Sequence, residues 1–181
     1  MTQMLLTSFL LILGCSSSQM KNNNAGLEPA LKSDKVLIMY LSRTNNTKTI
    51  AEIIHNNAGG TLVPLELEKP YPENYRATVE QVVRENETGY LPPPMKSFLK
   101  QYDLSGKTIV PFNTNDGYGI GSSFDTVKEL CPKSKILDGF SIKGGTESDG
   151  RIRLSKEENV KDAETKVKKW LQEIKLTKEA K

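Results

Sequence analysis

Cysteine is nearly absent: the 181 residues contain two, Cys15 and Cys131. Cys15 lies in an N-terminal segment of separate character, so Cys131 has no disulfide partner within the folded portion and stability must come from an apolar core. A lone thiol before Pro132, at an expected helix end, reads as a small buried hydrophobe. Histidine is scarcer still. His55 alone allows no His/Cys metal cluster, and near a helix end it complements the dipole rather than acting as a catalyst. The sequence offers no nucleophile paired with a base. Neither sign of charge dominates, since 25 Lys and Arg against 22 Asp and Glu leave a formal +3. No basic stripe follows, which sets nucleic acid aside as a partner. No apolar run reaches the roughly 20 residues of a membrane-spanning helix. What remains is one domain of ordinary size.

The longest apolar run is short and terminal. Met4 to Leu13, MLLTSFLLIL, has the length of a signal-peptide core and runs into Ile12-Leu13-Gly14-Cys15, followed by Ser16 to Ser18. Those four residues resemble the lipobox of bacterial lipoproteins, which is cut before its cysteine and acylated on it. The opening Met-Thr-Gln lacks the basic residues with which such a peptide normally starts. The division expected is a signal peptide over residues 1–14, a polar tether over 15–33, a domain over 34–175 and a polar tail over 176–181. Several acyl chains on Cys15, at about 0.8 kcal/mol per buried methylene, would hold the domain on a bacterial membrane outside the cytoplasm.

Within the domain, apolar periodicity alternates between two kinds. Val36 to Leu41 is a continuous run of strand length, expected to be covered on both faces. Ile50, Ile53, Ile54 and Ala58 recur at helical spacing, and Gly59-Gly60 stops that helix. Thr61 to Leu67 alternates around Pro64 and predicts an edge strand. A helix is expected over residues 73–85, another after Pro92 to Pro94 with Met95, Phe98 and Leu99, and a strand over Lys107 to Phe112 in which Pro111 is an awkward member. Phe124, Val127 and Leu130 mark a helix over 123–130, and Lys135 to Ile142 a ragged last strand. The chain closes with a helix over 159–174, whose stripe is Val160, Ala163, Val167, Leu171 and Ile174, with Trp170 packing on the sheet. Alternating strands and helices predict an α/β fold with a parallel sheet wrapped on both sides.

Between the first strand and first helix stand Ser42, Arg43, Thr44, Asn45, Asn46 and Thr47. In doubly wound folds a ligand sits beyond the carboxyl ends of the strands. Backbone N–H groups at the helix start attract an anion there, and hydroxyls and amides add donors without lysine. Walker A glycines and the Gly-Lys-Ser/Thr ending are absent. A second loop beyond a strand end, Thr114 to Gly121, holds Gly117, Gly119 and Gly121, which tolerate positive φ and close backbone approach.

The first loop resembles the flavodoxin-like proteins whose first strand ends in Tyr-x-Ser-Arg-Thr-Gly-Asn-Thr: Tyr40, Ser42, Arg43, Thr44, Asn46 and Thr47 match, with Lys48 following. The likeness continues through LELEKPYPENY and YDLSGKTIVPFNTNDGYGIGSS to LDGFSIKGG, most of Lys35 to Gly145. It implies a flavodoxin-like doubly wound parallel sheet with FMN as cofactor, its phosphate on Ser42 to Thr47 and its ring beside Thr114, Asn115, Asp116, Gly117, Tyr118 and Gly119. Asp116 near the ring would disfavour an anionic reduced flavin and lower its potential.

Two departures accompany the resemblance. Asn45 replaces a glycine, and asparagine is the non-glycine residue best suited to a left-handed backbone. Between Glu85 and Pro92 the family carries a central strand and a loop whose aromatic residue flanks the flavin, whereas Asn86 to Leu91, NETGYL, is too short for both. The sheet is thus expected shortened by one strand, with its first and third strands pairing directly or separated by a gap, and Tyr90 as the remaining candidate aromatic. The function expected is an FMN-binding electron carrier, tethered by lipid and served by an unidentified redox partner. Alternatives are a cofactor-free tethered interaction protein on the same scaffold and an NAD(P)H-dependent quinone or flavin reductase.

Overall fold

The computed structural model describes residues 35–72, 74–86, 91–115, 117, 119–146, 151–152, 154 and 156–177. The expected signal peptide, Cys15 and its tether lie outside the described residues, as do Tyr90, Asp116 and Tyr118. The elements run β1 Leu37–Tyr40, α1 Asn46–Ala58, β2 Thr61–Pro64, α2 Tyr75–Asn86, α3 Pro93–Gln101, β3 Thr108–Ile109, β4 Phe112–Asn115, α4 Ser123–Leu130, β5 Lys135–Ile136, β6 Phe140–Lys143, β7 Gly145–Thr146, β8 Arg151–Ile152 and α5 Glu157–Glu173.

Two apolar clusters on opposite sides of the strands hold these elements. The larger joins Ile50, Ile53 and Ile54 of α1, Val167, Trp170 and Leu171 of α5, and Ile38 and Phe140 from the strands. Ile50, Val167 and Leu171 are its largest fully buried side chains. The smaller joins Leu99 of α3 with Val127 and Cys131 at α4, against which Ile109 and Ile136 pack. Period-two alternation explains the division, because Ile109 faces the second cluster while Val110 and Phe112 face the first. Cys131 is free and buried, and burial pushes its thiol pKa up, as a hydrophobic role requires.

α1 ends where glycine lets the chain reverse. Gly59 caps it at φ 79°, and a side chain on Gly60, at φ 89°, would collide with the Val36 carbonyl. The chain then enters β2 parallel to β1, with Leu37 opposite Thr61 and Tyr40 opposite Pro64. Pro64 lies on the edge strand and closes it, as its missing N–H demands.

The strand expected over residues 107–112 is interrupted at Val110-Pro111, and so is its neighbour over 135–142. The two interruptions have one cause. β3 pairs with β5 as Ile109↔Ile136, whereas β4 pairs with β6 as Phe112↔Phe140, so the second strand carries one extra residue between them. Such an insertion is a bulge. The hydrogen bonds step across it, from Leu137 N to Ile109 O and from Phe140 N to Pro111 O, both at 2.9 Å. Gly139 makes the close approach possible, since a Cβ there would stand 2.7 Å from the Pro111 carbonyl oxygen. Trp170 supports the same turn, donating from Nε1 to the Asp138 carbonyl at 2.9 Å and stacking on Phe140 at 5.2 Å.

Three further expectations need correction. A parallel sheet wrapped on both sides is realised only in pieces: β1 pairs with β2 and β4 with β6, and no hydrogen-bonded strand joins β1 to β4 among the described residues. Of the two arrangements expected, the first and third strands do not pair directly among the described residues. β1 is covered unevenly, with Ile38 at 5 % exposure, Met39 half-buried and Leu37 at 59 %. The packed chain also runs beyond Lys175, because Leu176 is buried in the larger core and its N–H bonds to the Leu171 carbonyl at 2.8 Å. The antiparallel β7–β8 hairpin was not foreseen.

Candidate functional site

The turn into α1 begins with Asn45, whose φ of 63° and ψ of −8° place it in the left-handed region. Asparagine tolerates this conformation better than other non-glycine residues, which accounts for its presence where the resemblance implies glycine. The first intrahelical bond is Thr49 N to Asn45 O at 2.9 Å. Consequently the N–H groups of Asn46, Thr47 and Lys48 have no acceptor inside the helix, and no side chain of the Asn45 cap takes their place. With the positive end of the helix dipole, these amides favour an anion. Ser42 Oγ is buried in the same turn without a hydrogen-bond partner among the described residues. A buried hydroxyl left in that state costs roughly 1–3 kcal/mol, which a ligand accepting or donating there would recover.

Side chains brace the turn from below. Asn46, 8 % exposed, donates from Nδ2 to Thr44 Oγ1 at 3.2 Å and accepts from the Leu154 N–H at 3.4 Å. Thr47 Oγ1 lies 2.8 Å from Thr114 Oγ1 on β4. Gly144, just past β6, closes the junction: a Cβ on it would stand 2.9 Å from the Thr114 Cβ and 3.0 Å from the Asn46 Cβ. Thr114, which the resemblance groups with the ring-side loop, therefore has its hydroxyl against the turn that opens α1. No periodicity signals Gly144 or Leu154. Only the Lys-Gly-Gly within the third block of resemblance hinted that this stretch mattered.

The second loop is shaped differently. Gly117 and Gly119 take φ of 104° and 76° and Gly121 takes 51°, as three glycines in this stretch allow. Asn115 organises them, its Oδ1 accepting from Gly117 N at 2.7 Å and Gly119 N at 3.3 Å, while its Nδ2 donates to Ser141 Oγ at 3.0 Å. The Lys143 side chain approaches the outer side of Gly117, with Nζ 3.5 Å from where a Cβ would be. Asp116 and Tyr118, the other ring-side candidates, fall outside the described residues.

The Arg43 guanidinium lies over the Tyr71 ring, 5.0 Å from its centroid. Tyr71 donates to Glu85 Oε2 at 3.0 Å, and Gln81 donates to Glu85 Oε1 at 2.8 Å. Burial, together with the hydrogen bond and negative charge of Glu85, raises the Tyr71 pKa to about 12 against the opposing pull of Arg43. The link from Arg43 to the segment preceding α2 escaped sequence reasoning, since a cation over an aromatic face leaves no pattern in the chain.

Residues 89–157 match the sequence profile of the family described as Flavodoxin. No curated protein matches the sequence. Two solved structures share the fold. One is a "putative flavoprotein" of Bacteroides eggerthii DSM 20697, with 24 % identity and a TM-score of 0.53 over 76 % of this chain and 96 % of the other. A second "putative flavoprotein", of Bacteroides uniformis ATCC 8492, has 18 % identity and a TM-score of 0.58 over 78 % of this chain and 99 % of the other. The flavodoxin-like fold read from three sequence blocks is thus present, with its sheet in fragments.

Proposed function

We propose that this flavodoxin-fold chain binds FMN and carries electrons, and that acyl chains on Cys15 tether it to a bacterial membrane with its domain outside the cytoplasm. One observation carries the FMN reading: the start of α1 presents the N–H groups of Asn46, Thr47 and Lys48 without intrahelical acceptors, after a turn whose buried Ser42 hydroxyl has no hydrogen-bond partner among the described residues. Amides and a hydroxyl converging at a positive helix end suit a phosphate monoester, which offers only acceptors at its ionised oxygens. The second loop, with three positive-φ glycines beyond the end of β4, provides an open backbone edge for a flat ring. Lys143 and Asn115 bound that edge. Bound flavin supplies reversible one- and two-electron chemistry, and the protein's part is to hold it, exclude water and set the local charge.

Titrating the full-length chain with FMN and following flavin fluorescence tests this reading. Saturable quenching at micromolar protein is expected, with weaker binding of riboflavin, which lacks the phosphate. Absence of quenching removes it. The lipid tether is checked separately, because Cys15→Ala should shift the protein from the membrane fraction to the soluble one.

That no hydrogen-bonded strand joins β1 to β4 among the described residues favours a second reading, a scaffold that has given up its cofactor. Cooperative unfolding with a midpoint indifferent to added FMN would support that alternative.

A further inference from the structure

Resting on the FMN reading above, we infer that Thr114 is a positioning residue: through the Thr47 hydroxyl it aims a donor at the phosphate from β4. The pair is 2.8 Å apart, close enough for a strong O–H···O bond, and it joins residues 67 positions apart in the chain.

Each hydroxyl has one proton and two acceptor sites, so the pair can be ordered in two ways. If Thr47 donates to Thr114, the helix turn spends its proton internally. If Thr114 donates to Thr47, the Thr47 proton is free for a ligand at the helix start. An anion accepts and cannot donate, so its arrival selects the second order, and the donated bond from Thr114 polarises the outgoing one.

The surroundings hold this geometry firmly. Thr114 is fixed opposite Ile142 in the β4–β6 ladder, and the next rung, Gly144 N to Asn115 O, measures 2.9 Å. Gly144 leaves no room for a side chain between Thr114 and Asn46, since a Cβ on it would stand within 3.0 Å of both. The first turn of α1 is thereby joined to the β4 half of the structure by side chains, while its backbone follows from β1. Phosphate recognition thus draws on both half-sheets across their gap.

The test is a titration of the full-length chain as wild type, Thr114→Val and Thr114→Ser against FMN and riboflavin, with inorganic phosphate followed by thermal shift. Valine keeps the shape of threonine and removes the hydroxyl. Losing one hydrogen bond of ordinary net strength should weaken FMN binding about fivefold to tenfold. Riboflavin affinity should be unchanged, and serine should restore FMN affinity to within about twofold of wild type. In a Thr47→Val background, Thr114→Val should have no further effect, since the role of Thr114 runs through Thr47.

Equal FMN affinity of wild type and Thr114→Val overturns the inference. So does an equal loss for FMN and riboflavin, which would make the residue merely structural. Should wild type bind neither flavin while phosphate still raises its melting point, and Thr114→Val abolish that rise, the inference stands and the FMN reading falls. Wild type indifferent to all three probes removes both. If Thr114→Val does not fold, Thr114→Ser and Thr47→Ser decide, since both keep the hydroxyl pair and must retain the preference for FMN over riboflavin.

Discussion

The two loops at the carboxyl ends of the strands solve opposite problems. At residues 42–47 the backbone N–H groups of the first helical turn are left open, while the Asn46 side chain braces that turn through Thr44 and Leu154 and the Thr47 hydroxyl meets that of Thr114. At residues 114–121 the amides of Gly117 and Gly119 are already taken by the Asn115 side chain. The first loop stores unsatisfied donors, and the second stores a shape. An anion site needs the former, because a bound phosphate must find hydrogen bonds that cost nothing to expose. A surface for a flat apolar ring needs the latter, because an amide without a partner beneath such a ring would lose its water without compensation.

The largest perturbation strikes the support of the first loop. Ile50, fully buried on α1, anchors the helix whose start forms the turn. Ile50→Ala should destabilise the domain by about 2–5 kcal/mol, read from the urea midpoint. Gly144→Ala comes next, since its methyl would press into Thr114 and Asn46. Overpacking there should cost about 1–3 kcal/mol, and FMN affinity should fall further than riboflavin affinity.

Asn115→Ala turns to the second loop. It leaves two loop amides without their acceptor and should cost about 1–2 kcal/mol of stability. Here FMN and riboflavin should lose affinity alike, which separates the ring-side loop from the phosphate-side turn by calorimetry. Asn45→Gly should change stability by less than about 1 kcal/mol, because relief of the left-handed residue is offset by the greater chain entropy of glycine. Asn45→Val, by contrast, has no comparable relief and should lower the melting point visibly.

Tyr71, beneath Arg43, gives the smallest effect and a distinct pH signature. Its folded pKa is raised to about 12 from the ordinary 10.0, so the neutral phenol is the form that folding favours. The associated stability is complete below pH 10.0 and declines as pH climbs toward 12. Tyr71→Phe should remove that alkaline component, as measured by the melting temperature between those limits.

Much of this contrast was legible in the chain. Ser42 to Thr47 sits where a strand period gives way to a helix period, and hydroxyls and amides there suit either an anion or an ordinary strand-to-helix turn. The left-handed Asn45 follows from the resemblance, which places glycine there, since asparagine is the non-glycine residue that best tolerates that backbone. The helices over 123–130 and near the C-terminus follow from spacing alone, since burial of a helical face imposes its own period. The shortage of chain between Glu85 and Pro92 signals a missing strand only against the resemblance, which implies one there.

Tertiary structure alone decided how that shortage is accommodated. Nothing in Thr47 or Thr114 announces that their hydroxyls meet, because a contact between residues far apart along the chain depends on where two half-sheets come to rest. The bulge at Asp138-Gly139 was equally hidden, being a mismatch between two strands rather than a property of either one. The exposed face of Leu37 belongs with these. Periodicity records which side chains avoid water locally. Whether a strand finds neighbours on both edges and cover on both faces depends on elements elsewhere in the chain, and one that is too short leaves no trace in the residues it fails to reach.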